Sequence, residues 1–302
     1  MTYKLSTKKL SSCAPPHKTR ELGANHSFLY IQSAIMRYQK FQPVSELKPF
    51  VECYFIWEGN AHSGLQVQSP PNAFCSMVFN YGDPYTASQN NAPPMEVPKA
   101  FLSGQFTANY TLELKGMIAV AGIVLKPCTV HNMFGSRMSE LVNSRAALSY
   151  FPGLPVDILW SAVKNETADE GKIKILEQLI ISYLPAIKSN ISIIDEAVEY
   201  IDTCKGCISV EAVAEKLNIS RRYLEKKFLE KVGVSPKFYA RIKRFGALSN
   251  KIAHQEKIDW QEIVLEFDFH DQSHLVKEFI EFNQMNPSQY HLLHRELTRF
   301  VK

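Results

Sequence analysis

Ser220-Arg221-Arg222-Tyr223-Leu224-Glu225-Lys226-Lys227-Phe228 and Asp271-Gln272-Ser273-His274-Leu275-Val276-Lys277-Glu278-Phe279 are two versions of one segment. Leu224, Phe228, Pro236 and Tyr239 each recur 51 residues later, as Leu275, Phe279, Pro287 and Tyr290. Such a near-repeat marks a small structural unit used twice in one chain. Ahead of the first copy, Val210, Val213, Ala214 and Leu217 form an apolar stripe at helical spacing. Asn218-Ile219 then makes a tight corner and Ser220 opens the next helix, the order of a helix-turn-helix. The units are expected at about 209–232 and 259–283.

With Leu224 and Phe228 turned inward, Arg222, Glu225 and Lys226 share the opposite face of the second helix. Arginine and lysine donate to guanine O6 and N7, and glutamate accepts from cytosine N4, so this trio suits base reading in a major groove. In the second unit Gln272, Ser273, Val276 and Lys277 take the outward positions. Candidate phosphate contacts are Ser220, Arg221 and Lys227 on the first unit, Lys237, Arg241, Lys243 and Arg244 on the following helix, and Asn286 at a later helix start. From Lys216 to Lys251 eleven basic residues face only Glu225 and Glu230, whereas Ile252 to Glu296 holds three basic residues against nine acids. Because phosphate neutralisation sets affinity, this asymmetry predicts that the first unit anchors and the second adjusts.

The residues Val213-Ala214, Leu224, Phe228, Gly233-Val234-Ser235-Pro236, Tyr239 and Arg241, then Ile263, Phe269, Ser273-His274-Leu275, Phe279, Pro287 and Tyr290, resemble the AraC/XylS family of bacterial transcription regulators. Leu224 lies five positions after Ile219 and Leu275 six positions after Phe269, as in that family's two unequal motifs. The resemblance covers Ile191 to about Glu296. It implies two helix-turn-helix units joined by a linker helix, here Pro236 to His254, on adjacent major-groove segments. Two positions depart from it: Asp268 and Gln284 stand where the family usually has glycine. Aspartate tolerates a left-handed backbone better than most residues and glutamine pays more for it, so the second unit is expected to be locally strained or less regular. Gly246 inside the linker helix suggests close packing.

Outward from this region, Ser192, Ser209, Ser220, Asp259 and Asp271 sit at helix starts, with Asp195 and Glu262 at capping-box spacing after Ser192 and Asp259. Ser235-Pro236 and Asn286-Pro287 repeat a cap followed by proline. Earlier, strands are expected at 50–57, 74–80, 101–105, 110–114 and 117–125, separated by turn signals that include Glu58-Gly59-Asn60 and Lys115-Gly116. Helices follow at 129–134, 138–147, 156–164 and 172–183, the last ended by Pro185. The run Ser76 to Pro84, with Leu47-Lys48-Pro49-Phe50, Ser103-Gly104-Gln105 and Val124-Leu125-Lys126-Pro127, resembles the cupin-like β domain of one AraC subgroup, which implies small-molecule sensing or self-association. The expected whole is an α+β multidomain chain. It has a disordered leader at 1–35, with Met36 a candidate start, then a cupin-like β-rich barrel or sandwich at 36–165. A helical connector at 166–190 and an all-α double helix-turn-helix at 191–297 complete it.

Length and a 45% hydrophobic content allow two cores, and no long uncharged apolar run exists, so a cytoplasmic protein is expected. Cys204-Lys205-Gly206-Cys207 has metal or redox spacing but lacks a second cysteine pair, and His62 and His131 are not accompanied by a His-x-His pair. No metal, cofactor or catalytic residue is expected. Double-stranded promoter DNA, RNA polymerase, a small-molecule effector and a second copy of the chain are the expected partners, and activation the expected effect. The competing reading is a cupin- or thiol-based enzyme with a tethered DNA-binding module.

Overall fold

Long antiparallel strands dominate the N-terminal half because β-branched and aromatic residues are concentrated there in runs buried on both faces. A computed structural model of the chain describes residues 4–5, 26–31, 34–89 and 92–292. Strands β1 (Lys4–Leu5), β2 (His26–Ile31), β3 (Ala34–Phe41), β4 (Val51–Ser69), β5 (Cys75–Asn80), β6 (Thr86–Gln89), β7 (Met95–Glu96), β8 (Ala100–Ser103) and β9 (Tyr110–Leu125) come first. Helix α1 (Thr129–Phe134) and β10 (Arg145–Ala147) follow, then α2 (Val156–Asn165) and α3 (Asp169–Ser189). The sheet runs β10-β8-β5-β9-β4-β3-β2, with β6 on the far end of β9 and β1 on the far end of β4. Of the leader expected at 1–35, Lys4–Leu5 and His26–Ile31 are strands, and the rest lies outside the described residues apart from the start of β3.

One sheet face carries Tyr54, Ile56, Met77, Phe79, Ile123 and Leu125, covered by Val130 and Met133 of α1 and by Leu176, Leu179 and Ile180 of α3. The other face carries Trp57, Val78, Phe101, Leu114, Ile118 and Val120, a second apolar cluster. Three expectations need correction here. Lys115-Gly116 and Glu58-Gly59-Asn60 are not turns: β4 and β9 pair from Val51↔Leu125 to Ser69↔Tyr110, and the ladder overrides both local signals. The left-handed Gly116 marks an irregularity facing the Ala61/Leu65 register shift, held where Met117 N–H donates to Asp83 at 2.7 Å. The helix expected at 138–147 is a single 3-10 turn, Met138–Glu140, followed by β10, which pairs with β8.

Pro185 does not end α3, which continues to Ser189. An interior proline costs a helix about 3 kcal/mol. Leu184 just before it and Ile187 just after it are buried, and burying two such side chains returns about 1.5–3 kcal/mol each. The connector expected at 166–190 is thus largely α3, built into the β domain's core and tied to the sheet where Arg37 pairs with Asp169 and Glu58.

The C-terminal half is helical: α4 (Ile193–Thr203), α5 (Val210–Lys216), α6 (Arg221–Val232), α7 (Pro236–His254), α8 (Trp260–Glu266), α9 (Gln272–Asn283) and a last helix over 287–292. Ser192, Ser209, Ser220, Ser235, Asp259 and Asp271 each cap a helix with their side chain. The Ser192/Asp195 capping box is present, but Glu262 turns away from Asp259 to pair with Lys251. One apolar core runs through both units.

Candidate nucleic-acid interface

In each unit a short helix is set against a longer one by a corner that only a left-handed residue can turn. Asn218 supplies it in the first (φ 51°) and Asp268 in the second (φ 53°). Leu224, Phe228, Leu275 and Phe279 are fully buried, so α6 and α9 present their opposite faces outward. Phe228 packs edge-on against Tyr239 of α7, and Phe279 and Phe282 pack against Phe245 of the same helix. A single helix therefore braces both units.

Among the expected base readers, Arg222 and Lys226 on α6 and Gln272, Ser273 and Lys277 on α9 are exposed. Val276 is half-buried against the core. Glu225 is half-buried and accepts from Arg221 Nε at 2.9 Å, while Arg221 also pairs with Glu211 of α5. Tyr223, exposed beside Arg222, was not among the expected readers; an aromatic off the apolar stripe is its only sequence signal.

The expected phosphate contacts divide. Lys237 is exposed at the start of α7. Ser220 and Asn286 use their side chains as caps, Asn286 accepting from Gln289 N–H at 3.0 Å. Lys227 pairs with Glu230 at 2.9 Å, and Lys243 with Asp202 at 3.0 Å. Arg241 and Arg244, expected to face phosphate, instead turn toward α9. Arg241 donates to Glu278 at 3.0 Å and to Glu281 at 2.6 Å, and Arg244 donates to Glu278 at 2.8 Å. The Arg244 guanidinium also lies 4.3 Å from the Phe269 ring centroid. Lys251 pairs with Glu262 and Glu266 of α8. Much of the charge asymmetry counted along the chain is thereby neutralised inside the fold, because the basic stripe of α7 faces the acidic residues of the second unit.

The first unit is also fastened to the β domain. Lys231 of α6, only 5% exposed, donates to Asn190 O (2.8 Å), Ser192 Oγ (2.9 Å) and Asp195 Oδ2 (3.1 Å). Asp195 accepts from Asn132 of α1 at 2.8 Å. Gly233, left-handed at φ 97°, closes α6 where a Cβ would come within 2.8 Å of the Met138 carbonyl oxygen. Close approach is real there. At Gly246 it is not: a Cβ would meet nothing within 4 Å, because that residue lines an open cavity between α7 and the β domain.

Comparison with known proteins places these elements. Residues 213–292 match a helix-turn-helix domain, and residues 39–147 match a domain of unknown function (DUF6597). No curated protein matches the chain. Among solved structures, the C-terminal domain of AraT from Geobacillus stearothermophilus is 23% identical, covering 34% of this chain and 86% of its own, with a TM-score of 0.32. ToxT from Vibrio cholerae is 13% identical, covering 79% of this chain and 97% of its own, with a TM-score of 0.42. The match at 213–292 spans the two capped, left-handed corners and both outward-facing helices, so the C-terminal region is a helix-turn-helix domain, and it follows an N-terminal β domain.

Proposed function

We propose that the protein is a one-component regulator that reads two adjacent major-groove segments of promoter DNA, one with α6 and one with α9. The observation that carries this reading is the duplicated facing: each helix buries its leucine and phenylalanine while leaving donors exposed, Arg222 and Lys226 on one and Gln272, Ser273 and Lys277 on the other. Arg222 and Lys226 suit guanine, and Gln272 suits adenine. Lys237 is the clearest phosphate contact on α7, and the first-turn amides after Ser235 and Asn286 add donors for backbone oxygens. Selection of duplexes from a random library, followed by footprinting, tests this. The expected result is one asymmetric site protected over two successive turns of a single DNA face, and protection confined to a single groove segment would overturn it.

Effector responsiveness is supported by a cavity of about 750 Å³ between the β domain and α7, roomy enough for a small molecule. A ligand there would touch both domains and so bias their arrangement. RNA polymerase contact and self-association belong to the same reading, as does a cytoplasmic location; no helix among the described residues is long and apolar enough to cross a membrane. A thiol-based catalytic role is disfavoured by the cysteines. Burial pushes Cys75 up to about 12 and also raises Cys53, Cys128 and Cys207, the reverse of what a nucleophile needs. The Cys204–Cys207 segment is a tight turn through left-handed Lys205 and Gly206, seated against the Ala240 carbonyl of α7. His131 is engaged with the Ser136 carbonyl at 2.8 Å.

A further inference from the structure

Helix α9 meets α7 through two kinds of contact that do different work. Phe245 against Phe279 and Phe282 is apolar, and such packing tolerates rolling and sliding of one helix on the other. The ion pairs do not. Arg241 and Arg244 lie three residues apart on one stripe of α7, and Glu278 and Glu281 lie three apart on the facing stripe of α9. Glu278, whose side chain is 6% exposed, accepts from both guanidinium groups, one on each oxygen. Arg244 also donates to the carbonyl of Asp268 at 3.3 Å, which holds the corner between α8 and α9.

A guanidinium is a planar fork with fixed donor directions, so this arrangement selects one rotation of α9 about its axis and one crossing angle with α7. Buried charge pairs are poor sources of stability; their best-attested use is to specify one arrangement over near alternatives. The clamp is particular to the second unit. At the positions 51 residues earlier, Glu278 and Glu281 are replaced by Lys227 and Glu230, which pair with each other.

We infer that Arg241, Arg244 and Glu278 are positioning residues that set the spacing between the two DNA segments the protein accepts. The inference rests on the two-groove reading proposed above. One inserted base pair moves the second segment by about 3.4 Å and turns it by about 34°, so a rigid α9 cannot follow it. A released α9 can.

The test uses the full chain and the duplex it selects, with one or two base pairs inserted or removed between the two protected segments. The wild-type protein should lose affinity at least about tenfold for a one-base-pair change, a penalty on the scale of a mismatched site, whereas Glu278→Gln should bring the spacings within about threefold of one another. Arg241→Gln should do the same to a smaller degree. Neither should alter the dependence of affinity on salt, because neither arginine neutralises a phosphate. A salt slope shallower by about one in Arg241→Gln, with the spacing preference kept, would make Arg241 a phosphate contact and overturn the inference. If Glu278→Gln loses the cooperative thermal unfolding of the helical domain, Arg241→Gln alone decides, and an unchanged spacing preference in it sinks the clamp. A wild-type protein that selects no sequence at all refutes the two-groove reading and takes this inference with it, a result distinct from one in which selection succeeds and the variants behave like wild type.

Discussion

The two helix-turn-helix units share a skeleton and differ in what holds them. At equivalent places Leu224 and Leu275, Phe228 and Phe279, and Tyr239 and Tyr290 are all buried. Fastening is another matter. The first unit is tied backward to the β domain through Lys231, Asp195 and Asn132 and through Gly233 against Met138. The second has Phe282 where the first has Lys231, and it is tied to α7 by Arg241 and Arg244. The difference teaches that a duplicated helical unit leaves room for division of labour: one copy is seated against the β domain and the other is fixed in place by α7.

The largest effect expected from breaking this contrast is at Lys231. Lys231→Ala strips Asp195 and two other acceptors of a shared buried donor, and urea unfolding should show a loss of about 3 kcal/mol. Phe282→Leu, at the equivalent position, keeps an apolar side chain and should cost under about 1.5 kcal/mol. Similar losses from the two would mean that Lys231 acts as simple filler.

Next come the proposed base-reading residues. Arg222→Ala should weaken the selected site by about 1–3 kcal/mol and relax preference at a single base position. Lys277→Ala should shift preference in the other segment with a smaller overall loss. Titrations across a salt series decide this, and an equal or larger loss from Lys277→Ala would remove the anchoring role of the first unit.

A smaller effect sharpens the comparison at the two helix ends. Gln284 closes α9 with a left-handed backbone, φ 55°, where Gly233 closes α6. Gln284→Gly should raise stability by about 1 kcal/mol, since a left-handed non-glycine residue costs roughly that much. Gly233→Ala should lower it, because strain and the Met138 contact act together. Melting temperatures that move in the same direction would contradict the assignment.

Smallest is a pH effect at the helix starts. The His274 backbone N–H and then the His270 side chain hold the Asp271 carboxyl below the usual aspartate range, whereas the equivalent cap, Ser220, does not titrate. A depressed carboxylate stabilises the fold at pH above its unfolded value, and that contribution is lost as pH falls through the folded one. Stability measured on acidification should therefore fall less steeply in Asp271→Ser than in wild type. Parallel curves would mean the cap does not couple to folding.

The amino-acid sequence by itself determined the helical half. Cap residues, left-handed corners and the 51-residue echo are local features, and local hydrogen bonding and backbone sterics suffice to interpret them; Asn218, Asp268 and Gln284 adopt the conformations their positions demand. It also determined which faces of α6 and α9 are buried, because helical periodicity carries that information. Only the tertiary structure decided the rest. The turn signals at Gly59 and Lys115-Gly116 lost to a ladder between strands far apart in sequence, and Pro185 was absorbed because Leu184 and Ile187 on either side of it are buried. Counting charge along the chain could not reveal that Arg241, Arg244 and Lys251 face Glu278, Glu281, Glu262 and Glu266, since pairing depends on which helix faces meet. Where a basic residue spends its charge, on DNA or on its own fold, is a long-range property that composition does not encode.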